Sequence, residues 1–236
     1  MPTEFQFIVA IVEVDDSYSI EKNLLCTGSL LTKSHILTCE HCFEEIESQP
    51  FRILAGSNSL IDATAFFPLF WISFDQWAVN EGEEIVYPEN DIAMIKLIVA
   101  VPDECPTVTL ATFSENEDLY GLWTVTAGWG QIKNDILPII LHKAIVKIIT
   151  NENCENIIKA LAGEECPVPE ELYICTKNLP YTHLGEGDSG GPLLYENNLV
   201  GINKALCPDI DFSTYQVNAH LSIHYYRTFI ASTITT

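Results

Sequence analysis

The stretch LGEGDSGGPLL, residues 184–194, places Ser189 among four glycines and directly after Asp188. Glycine has no Cβ, so it adopts positive φ angles and lets other groups approach its backbone closely. Consecutive N–H groups in such a turn can converge on one point and bind a developing oxyanion. By itself, the string is equally typical of an ordinary glycine-rich turn. Whether Ser189 is a nucleophile therefore depends on what the rest of the chain supplies.

A candidate base lies early in the chain. A serine attacks an amide only when a base removes its proton and a third group orients that base. His41 lies in HILTCEHC, residues 35–42, after a strand-like run that follows another such run and a turn. We expect Cys26 and Cys42 to face each other across this hairpin and to hold His41 in place.

A candidate orienting acid follows it. Asp91 lies in NDIAMIKL, residues 90–97, at the start of an apolar strand, where its carboxylate would be half-buried. An aspartate there is also typical of a plain turn. The chain thus offers a base, an acid and a serine in the order His41, Asp91, Ser189.

The segment around His41 also allows a metal site, made of Cys39, His41 and Cys42. Structural zinc sites need a complementary pair of ligands at short spacing, which the sequence does not offer. We therefore predict no metal and no cofactor.

Composition points to an all-β soluble domain. The chain has 236 residues, of which 47% are hydrophobic and 19% charged. Short runs of β-branched and aromatic residues, such as FQFIVAIVEV at 5–14, recur between polar turns and predict a barrel or sandwich. The last stretch, residues 222–236, predicts a terminal helix with Ile223, Tyr226 and Ile230 on one face.

Charge and cysteines limit the partners and the compartment. The net charge of −22 excludes nucleic acid, whose phosphates require clustered Lys and Arg. No segment has the apolar length of a membrane span. Eight scattered cysteines indicate disulfides and an exported protein, although no signal peptide is recognisable in the chain as given. We interpret the chain as a mature form or one truncated at its start.

Several motifs together resemble the trypsin/chymotrypsin family of serine proteases. They are GSLL at 28–31 with HILTCEHC, NDIAMIKL, VTAGWG at 125–130 and GDSGGPLL at 187–194. The resemblance spans most of the chain and implies two six-stranded antiparallel β-barrels with a C-terminal helix, in a single peptidase domain over residues 1–236. The implied division is a first barrel at 1–105, an inter-barrel linker at 106–121, and a second barrel with the helix at 122–236.

The resemblance also implies the roles of the site residues. His41 would act as general base and then acid, Asp91 would orient its imidazole, and Ser189 would attack to form an acyl-enzyme. The N–H groups of Gly187 and Ser189 would hold the oxyanion. The implied protein is a secreted, monomeric serine endopeptidase that acts on polypeptides and meets protein inhibitors.

The start of the chain departs from the family pattern. In active members a cut after a basic residue creates an Ile-Val-Gly-Gly terminus, whose ammonium lies beside the aspartate that precedes the nucleophile. That aspartate is Asp188 here, and the chain begins MPTEFQFIVAIVEV without such a sequence. An unpaired buried carboxylate is costly, so we expect the loop to relax unless another cation substitutes. The alternative is a catalytically silent homologue that serves as a binding or regulatory module.

The predicted substrate pocket departs as well. Its base is His183, where a trypsin has an aspartate, so we do not expect trypsin-like preference. Gln216 stands where a glycine usually keeps the pocket open, subject to a one-residue shift in the alignment. We expect a narrowed, polar pocket. Its predicted residues are His183, Leu184, Glu186, Asn203, Lys204, Ala205 and Gln216.

The family also suggests how cysteines pair. Cys154 and Cys175 match a family disulfide that bridges the loop before the nucleophile. Gly185 replaces the cysteine that would ordinarily bridge to Cys207, for which we suggest Cys166 as the partner. The family assigns no partner to Cys39 and Cys105. They pair with each other, pair with an upstream region or remain thiols. Four histidines outside the motifs are expected at the surface or partly packed: His35, His142, His220 and His224.

Overall fold

Two antiparallel β-sheets account for most of the molecule. The computed structural model describes residues 4–15, 17–43, 50–88, 90–132, 136–163, 168–178, 181–210 and 213–235. The strands of the first sheet are β1 (Ile8–Glu13), β2 (Leu24–Leu30), β3 (His35–Thr38), β4 (Phe51–Ala55), β5 (Thr64–Phe66), β6 (Pro68–Ser73) and β7 (Ala93–Leu97). Those of the second are β8 (Trp123–Gly128), β9 (His142–Ile149), β10 (Tyr173–Lys177), β11 (Pro192–Tyr195), β12 (Asn198–Cys207) and β13 (Val217–Ser222).

Helices are few and short. The α-helices are α1 (Phe74–Glu81), α2 (Asn151–Ala162) and α3 (Arg227–Thr233), and the short 3-10 turns are Ile20–Asn23, His41–Phe43 and Asn116–Leu119. None of the helices in the described ranges is long and apolar enough to cross a membrane. The predicted all-β class with a C-terminal helix is confirmed.

The second sheet closes into a six-stranded barrel in the order β10-β13-β12-β11-β8-β9. The sequence of β9 shows why its residues form a barrel wall: Val146 and Ile148 are buried, while Ile145 and Lys147, which alternate with them, are exposed. Alternate side chains of a strand point to opposite faces, so one face enters the barrel core and the other meets solvent.

The first sheet differs from the predicted six-stranded barrel. It has seven strands, in the order β5-β4-β1-β2-β3-β7-β6, and it remains open with β5 and β6 at its edges. Strand β5 has only three residues, and β6 begins with Pro68, which has no N–H to donate to a further strand. Strand β1, an inner strand between β4 and β2, is buried along five of its six residues, so it anchors the core of this half.

The C-terminal helix begins later than predicted. Helix α3 starts at Arg227, so Ile223 and Tyr226 precede it, although both are fully buried as their apolar character indicates. The ring of Phe229 on α3 lies 5.5 Å from that of Trp77 on α1. Because α1 follows β6 of the first sheet, this contact ties the end of the chain to the first half.

Candidate active site

His41 lies directly after the first sheet. Strand β3 ends at Thr38, and His41 opens the 3-10 turn that ends at Phe43. A disulfide joins Cys42 to Cys26 on β2, with an S–S length of 2.07 Å and a sequence separation of 16. The turn that carries His41 is therefore covalently fixed to the neighbouring strand.

Asp91 holds the histidine through both of its oxygens. Strands β3 and β7 pair antiparallel with Thr38 opposite Ala93, so His41 and Asp91 emerge at the same end of the pair. The backbone N–H of His41 donates to Asp91 Oδ1 at 2.9 Å, and Nδ1 lies 2.7 Å from Oδ2. A carboxylate only accepts, so Nδ1 carries the hydrogen and Nε2 is the basic position of the neutral ring.

Ser189 comes from the second sheet, but its turn rests on the first. The N–H of Thr27 on β2 donates to the Ser189 carbonyl at 2.9 Å. The next residue, Gly190, has φ +76°, and a Cβ there would lie 2.1 Å from Thr38 Oγ1 and 3.0 Å from the Cys39 nitrogen. Only glycine fits such a contact. The serine turn thus lies against the end of β3, three residues before His41.

The Ser189 hydroxyl donates to the Lys204 carbonyl at 3.3 Å. Gly187 has φ +93°, and its carbonyl accepts a hydrogen bond from Thr27 Oγ1 at 2.8 Å. Within the described ranges, the N–H groups of Gly187 and Ser189 donate to no protein acceptor. The turn therefore presents two backbone donors beside the serine.

Asp188 is held by backbone groups. The N–H of Gly130 donates to Oδ1 and that of Gly185 to Oδ2, each at 2.9 Å. Burial raises the pKa of the carboxyl group, and these two hydrogen bonds partly oppose that shift. The sequence led us to expect a carboxylate without a partner, and the structure supplies two N–H donors instead.

The sequence shows the glycines around Asp188 but not their contacts with its carboxyl group. A Cβ on Gly130 would lie 2.2 Å from Asp188 Cγ, and one on Gly128 the same distance from Oδ1. A Cβ on Gly185 would lie 2.1 Å from the Gln131 carbonyl oxygen. The VTAGWG motif thus leaves room for the aspartate, and close backbone packing explains a glycine at 185 in place of a cysteine.

The predicted pocket residues divide into two groups. His183 and Leu184 are half-buried just before the serine turn, while Glu186 is exposed. Lys204 and Ala205 on β12 are half-buried, and Lys204 Nζ donates to Tyr173 Oη at 2.8 Å. These five residues lie on the segments that flank Ser189.

The structure places the other two predicted pocket side chains elsewhere. Asn203 is fully buried inside the second barrel, where its Oδ1 accepts a hydrogen bond from Thr126. Gln216 holds a loop: Nε2 donates to the Pro208 carbonyl at 2.9 Å and Oε1 accepts from the Ser213 N–H at 2.7 Å. Asn218, two residues later, is the side chain that reaches the predicted pocket base. Its Oδ1 accepts from the Leu184 N–H at 2.9 Å.

Two histidines expected at the surface or partly packed are in fact buried. His35 is 4% exposed and hydrogen-bonds to Thr32, and burial lowers its pKa. His220 is completely buried, between Thr176 Oγ1 at 2.8 Å and Asn203 Oδ1 at 3.0 Å, and burial lowers its pKa to about 3. Hydrogen bonds to neutral groups satisfy both ring nitrogens of His220, which is why this histidine can occupy the barrel interior.

This buried imidazole should make the protein acid-sensitive. The unfolded chain binds a proton at His220 below about pH 6.5, whereas the folded protein does not until about pH 3. The stability contributed by neutral His220 is therefore complete above the unfolded pKa and is lost as the pH falls through this window. Urea titrations at pH 7 and pH 4 give the free energy of unfolding of the native chain and of His220→Gln. Between these pH values, we expect it to fall by roughly 3 kcal/mol more in the native chain than in the variant. An equal decrease in the free energy of unfolding of the two proteins would contradict this prediction.

The cysteines outside the first disulfide include a second disulfide pair and two buried thiols. Cys154 at α2 and Cys175 on β10 form a disulfide of 2.00 Å. Cys39 and Cys105 remain buried thiols, and burial raises the pKa of each. The suggested partner of Cys207, Cys166, lies outside the described residues.

The ligand atoms of Cys39, His41 and Asp91 lie within 4.8 Å of one another. The Cys42 sulfur is already in a disulfide, so the set that the sequence offers for a metal, Cys39, His41 and Cys42, is not available as three ligands. Within this group, His41 Nδ1 and Asp91 Oδ2 are joined by a hydrogen bond of 2.7 Å.

The two disulfides offer a matched test of the first one's local role. Their sequence separations are 16 and 21, so removing either pair by alanine substitution should lower the free energy of unfolding by about 3 kcal/mol. Only Cys26→Ala/Cys42→Ala should also slow the reaction of the site with a serine-directed phosphonate, because that pair fixes the His41 turn. Equal slowing in Cys154→Ala/Cys175→Ala would contradict a local role.

Comparisons with known proteins agree with this geometry. The family model "Trypsin" matches residues 6–225. The chain is 30% identical to coagulation factor XI of Bos taurus over 75% of its length and 28% of that protein. It is 27% identical to a chymotrypsin of Phaedon cochleariae over 77% of its length and 63% of that protein. The serine proteinase stubble of Drosophila melanogaster is 26% identical over 71% of the chain and 21% of that protein.

The chain thus spans between a fifth and just under two thirds of these curated relatives. Among solved structures, neuropsin, a serine protease of mouse brain, superposes with a TM-score of 0.75 over 99% of this chain and 96% of its own, at 22% identity. That likeness concerns the fold, whereas the family model covers nearly the whole sequence. The chain belongs to the trypsin family of serine protease homologues.

Proposed function

We propose that this chain is a secreted serine endopeptidase that cleaves polypeptides through an acyl-enzyme on Ser189. The observation that carries the proposal is the pair of hydrogen bonds between Asp91 and His41. At 2.9 and 2.7 Å, they fix the orientation of the imidazole ring and its tautomer. A ring fixed in this way has Nε2 as its base and suits proton transfer to and from a neighbouring hydroxyl.

The proposed reaction begins with Ser189 Oγ, which leaves the Lys204 carbonyl by rotation about its Cα–Cβ bond. It attacks the substrate carbonyl carbon while His41 Nε2 takes the hydroxyl proton. The N–H groups of Gly187 and Ser189 donate to the resulting oxyanion. His41 then protonates the leaving amine as the C–N bond breaks, and a water activated by the same ring hydrolyses the ester.

Two further features belong to the proposal. Disulfides persist in oxidising compartments, so the two disulfides of the described chain support an extracellular location. His183 occupies the predicted pocket base, and burial lowers its pKa, which favours the neutral ring. A neutral base of the pocket supports a preference other than for lysine or arginine.

Phosphonate labelling tests this function. The purified chain is incubated with a fluorophosphonate, digested, and examined by mass spectrometry for the adduct on the peptide that contains Ser189. We expect one adduct, on Ser189, and at least a 100-fold slower reaction in His41→Ala, because the base is lost. The absence of an adduct on Ser189, or an unchanged rate in His41→Ala, would overturn the proposed triad.

A further inference from the structure

The second barrel holds a cluster of buried polar side chains directly beneath the serine turn. We call it the polar plug; it consists of Thr126, Thr176, Asn203, Asn218 and His220. Each member is at most 5% exposed. In the paired strands, Asn203 lies opposite His220 and Leu206 opposite Asn218. Cross-strand partners share a face of a sheet, so these side chains fill one end of the barrel interior.

The hydrogen bonds of the plug run in one direction. Asn218 Nδ2 donates to Thr176 Oγ1 at 3.3 Å, and that hydroxyl lies 2.8 Å from His220 Nε2. His220 Nδ1 lies 3.0 Å from Asn203 Oδ1, which also accepts from Thr126. With a neutral imidazole protonated at Nδ1, every contact has one donor and one acceptor. The plug is therefore satisfied internally and carries no charge.

Both ends of the plug bind the segment that bears the nucleophile. Asn203 Nδ2 donates to the Asp188 carbonyl at 3.2 Å, next to Ser189. At the other end, Asn218 Nδ2 donates to the Thr182 carbonyl and Oδ1 accepts from the Leu184 N–H, both at 2.9 Å. The plug is thus hydrogen-bonded to residues 182, 184 and 188 of the segment that leads to Ser189.

Under the proposed function, the side chain of a bound substrate would extend towards this end of the plug. Among the predicted pocket residues, Leu184 is hydrogen-bonded to Asn218 and Lys204 to Ser189. A deep side chain would have to displace Asn218 and break its three hydrogen bonds. Breaking them would leave the buried side-chain amide of Asn218 unpaired, a loss larger than burial of one apolar side chain returns. A basic side chain would in addition find no carboxylate among the plug residues.

Resting on the proposed function, we infer that this chain selects peptides with a small, uncharged side chain, such as alanine or glycine, at the residue whose carbonyl is attacked. Asn218 is the residue that determines this preference. It closes the barrel end that a larger side chain would enter, and half-buried Leu206 opposite it narrows what remains.

The first experiment measures preference directly. Peptides that differ only at the residue before the cleaved bond, carrying alanine, phenylalanine or arginine, are compared by kcat/KM. We expect alanine to be favoured over the other two by about 100-fold or more, and Asn218→Gly to raise phenylalanine cleavage by at least about 10-fold. Phenylalanine or arginine cleaved as well as alanine by the native chain would overturn the inference.

A matched control keeps the effect of Asn218 distinct from a general loosening of the barrel. Thr124→Ala removes another buried hydroxyl of the same barrel, which donates to the Val146 carbonyl at 3.0 Å. Its preference should equal that of the native chain. A shift equal to that of Asn218→Gly would mean that the plug has no specific role. Asn218→Ala serves as the second variant if the glycine substitution prevents folding.

A binding experiment separates this inference from the proposed hydrolysis. Crystals of the native chain and of Asn218→Gly are soaked in indole, whose occupancy beside residue 218 needs no catalysis. We expect indole there in the variant and not in the native chain. Indole beside Asn218 in the native chain, or its absence from the variant, overturns the plugged barrel even if Ser189 hydrolyses peptides. Failure of phosphonate labelling with the expected indole result overturns the hydrolysis alone.

Discussion

Replacing Ser189 with alanine is expected to lower kcat/KM for an alanine-containing peptide by about 10⁵-fold, the largest effect of any single substitution considered. The reason is that the substitution removes the only protein atom in the proposed mechanism that bonds to the substrate carbonyl carbon. Binding and the backbone donors of Gly187 and residue 189 would remain, so residual catalysis should stay above the rate in water. Progress curves with a fluorogenic peptide measure the effect.

The same substitution should barely change stability. The Ser189 hydroxyl makes one long hydrogen bond, to the Lys204 carbonyl at 3.3 Å, so its loss should cost no more than about 1 kcal/mol of unfolding free energy. Ser17→Ala, at an exposed position, serves as the control and should keep full activity. Activity retained in Ser189→Ala, or lost only in proportion to unfolding, would contradict the role of the serine.

Asp91→Asn should lower kcat by about 10⁴-fold while KM changes only a few-fold. Asparagine keeps the shape of the side chain, but it can satisfy His41 N and Nδ1 with only one oxygen. The amide nitrogen at the second position would favour the tautomer with hydrogen on Nε2, which cannot accept the serine proton. Steady-state kinetics on the same peptide separate the two parameters.

A second carboxylate provides the control for this substitution. Asp62 is exposed, and Asp62→Asn removes one negative charge without touching His41. It should leave kcat unchanged, which shows that the effect of Asp91→Asn comes from the hydrogen bonds and not from net charge. A loss in Asp91→Asn matched by Asp62→Asn, or appearing in KM alone, would contradict an orienting role.

The fold class and the three motifs could be predicted because their signals are local. Alternation within a strand such as β9, and a glycine-rich turn around Ser189, are readable from consecutive residues. The resemblance to a family then supplies the order of His41, Asp91 and Ser189. What brings these segments together in space follows from strand pairing, as between β3 and β7, and not from any one stretch.

The contacts of the predicted pocket residues depend on strand register, which the sequence does not show. Strands β12 and β13 change register between Asn203 and Ala205, where β12 bulges. Asn218, and not Gln216, hydrogen-bonds to the Leu184 N–H. The burial of His220 is equally hidden in the sequence, since a histidine in a strand faces either solvent or core. The hydrogen bonds of His220 to Thr176 and Asn203 stabilise it on the core side.

The partners of Asp188 illustrate a third limit. Its N–H donors come from Gly130, 58 residues away, and from Gly185, three residues before it. The glycines of VTAGWG can be recognised as a motif in the sequence. The structure shows that they are needed because a Cβ at either position would collide with the carboxyl group of Asp188. Close approach between distant segments leaves no periodic trace in either one.

Detection of the acyl-enzyme tests the proposed mechanism most directly. The chain is mixed with p-nitrophenyl acetate, quenched in acid within the first turnover, and its intact mass and peptides are measured. The proposed mechanism predicts a mass gain of one acetyl group, located on Ser189 and removed by hydroxylamine, and none in Ser189→Ala. An acetyl group found on another residue, or an equal gain in Ser189→Ala, would contradict it.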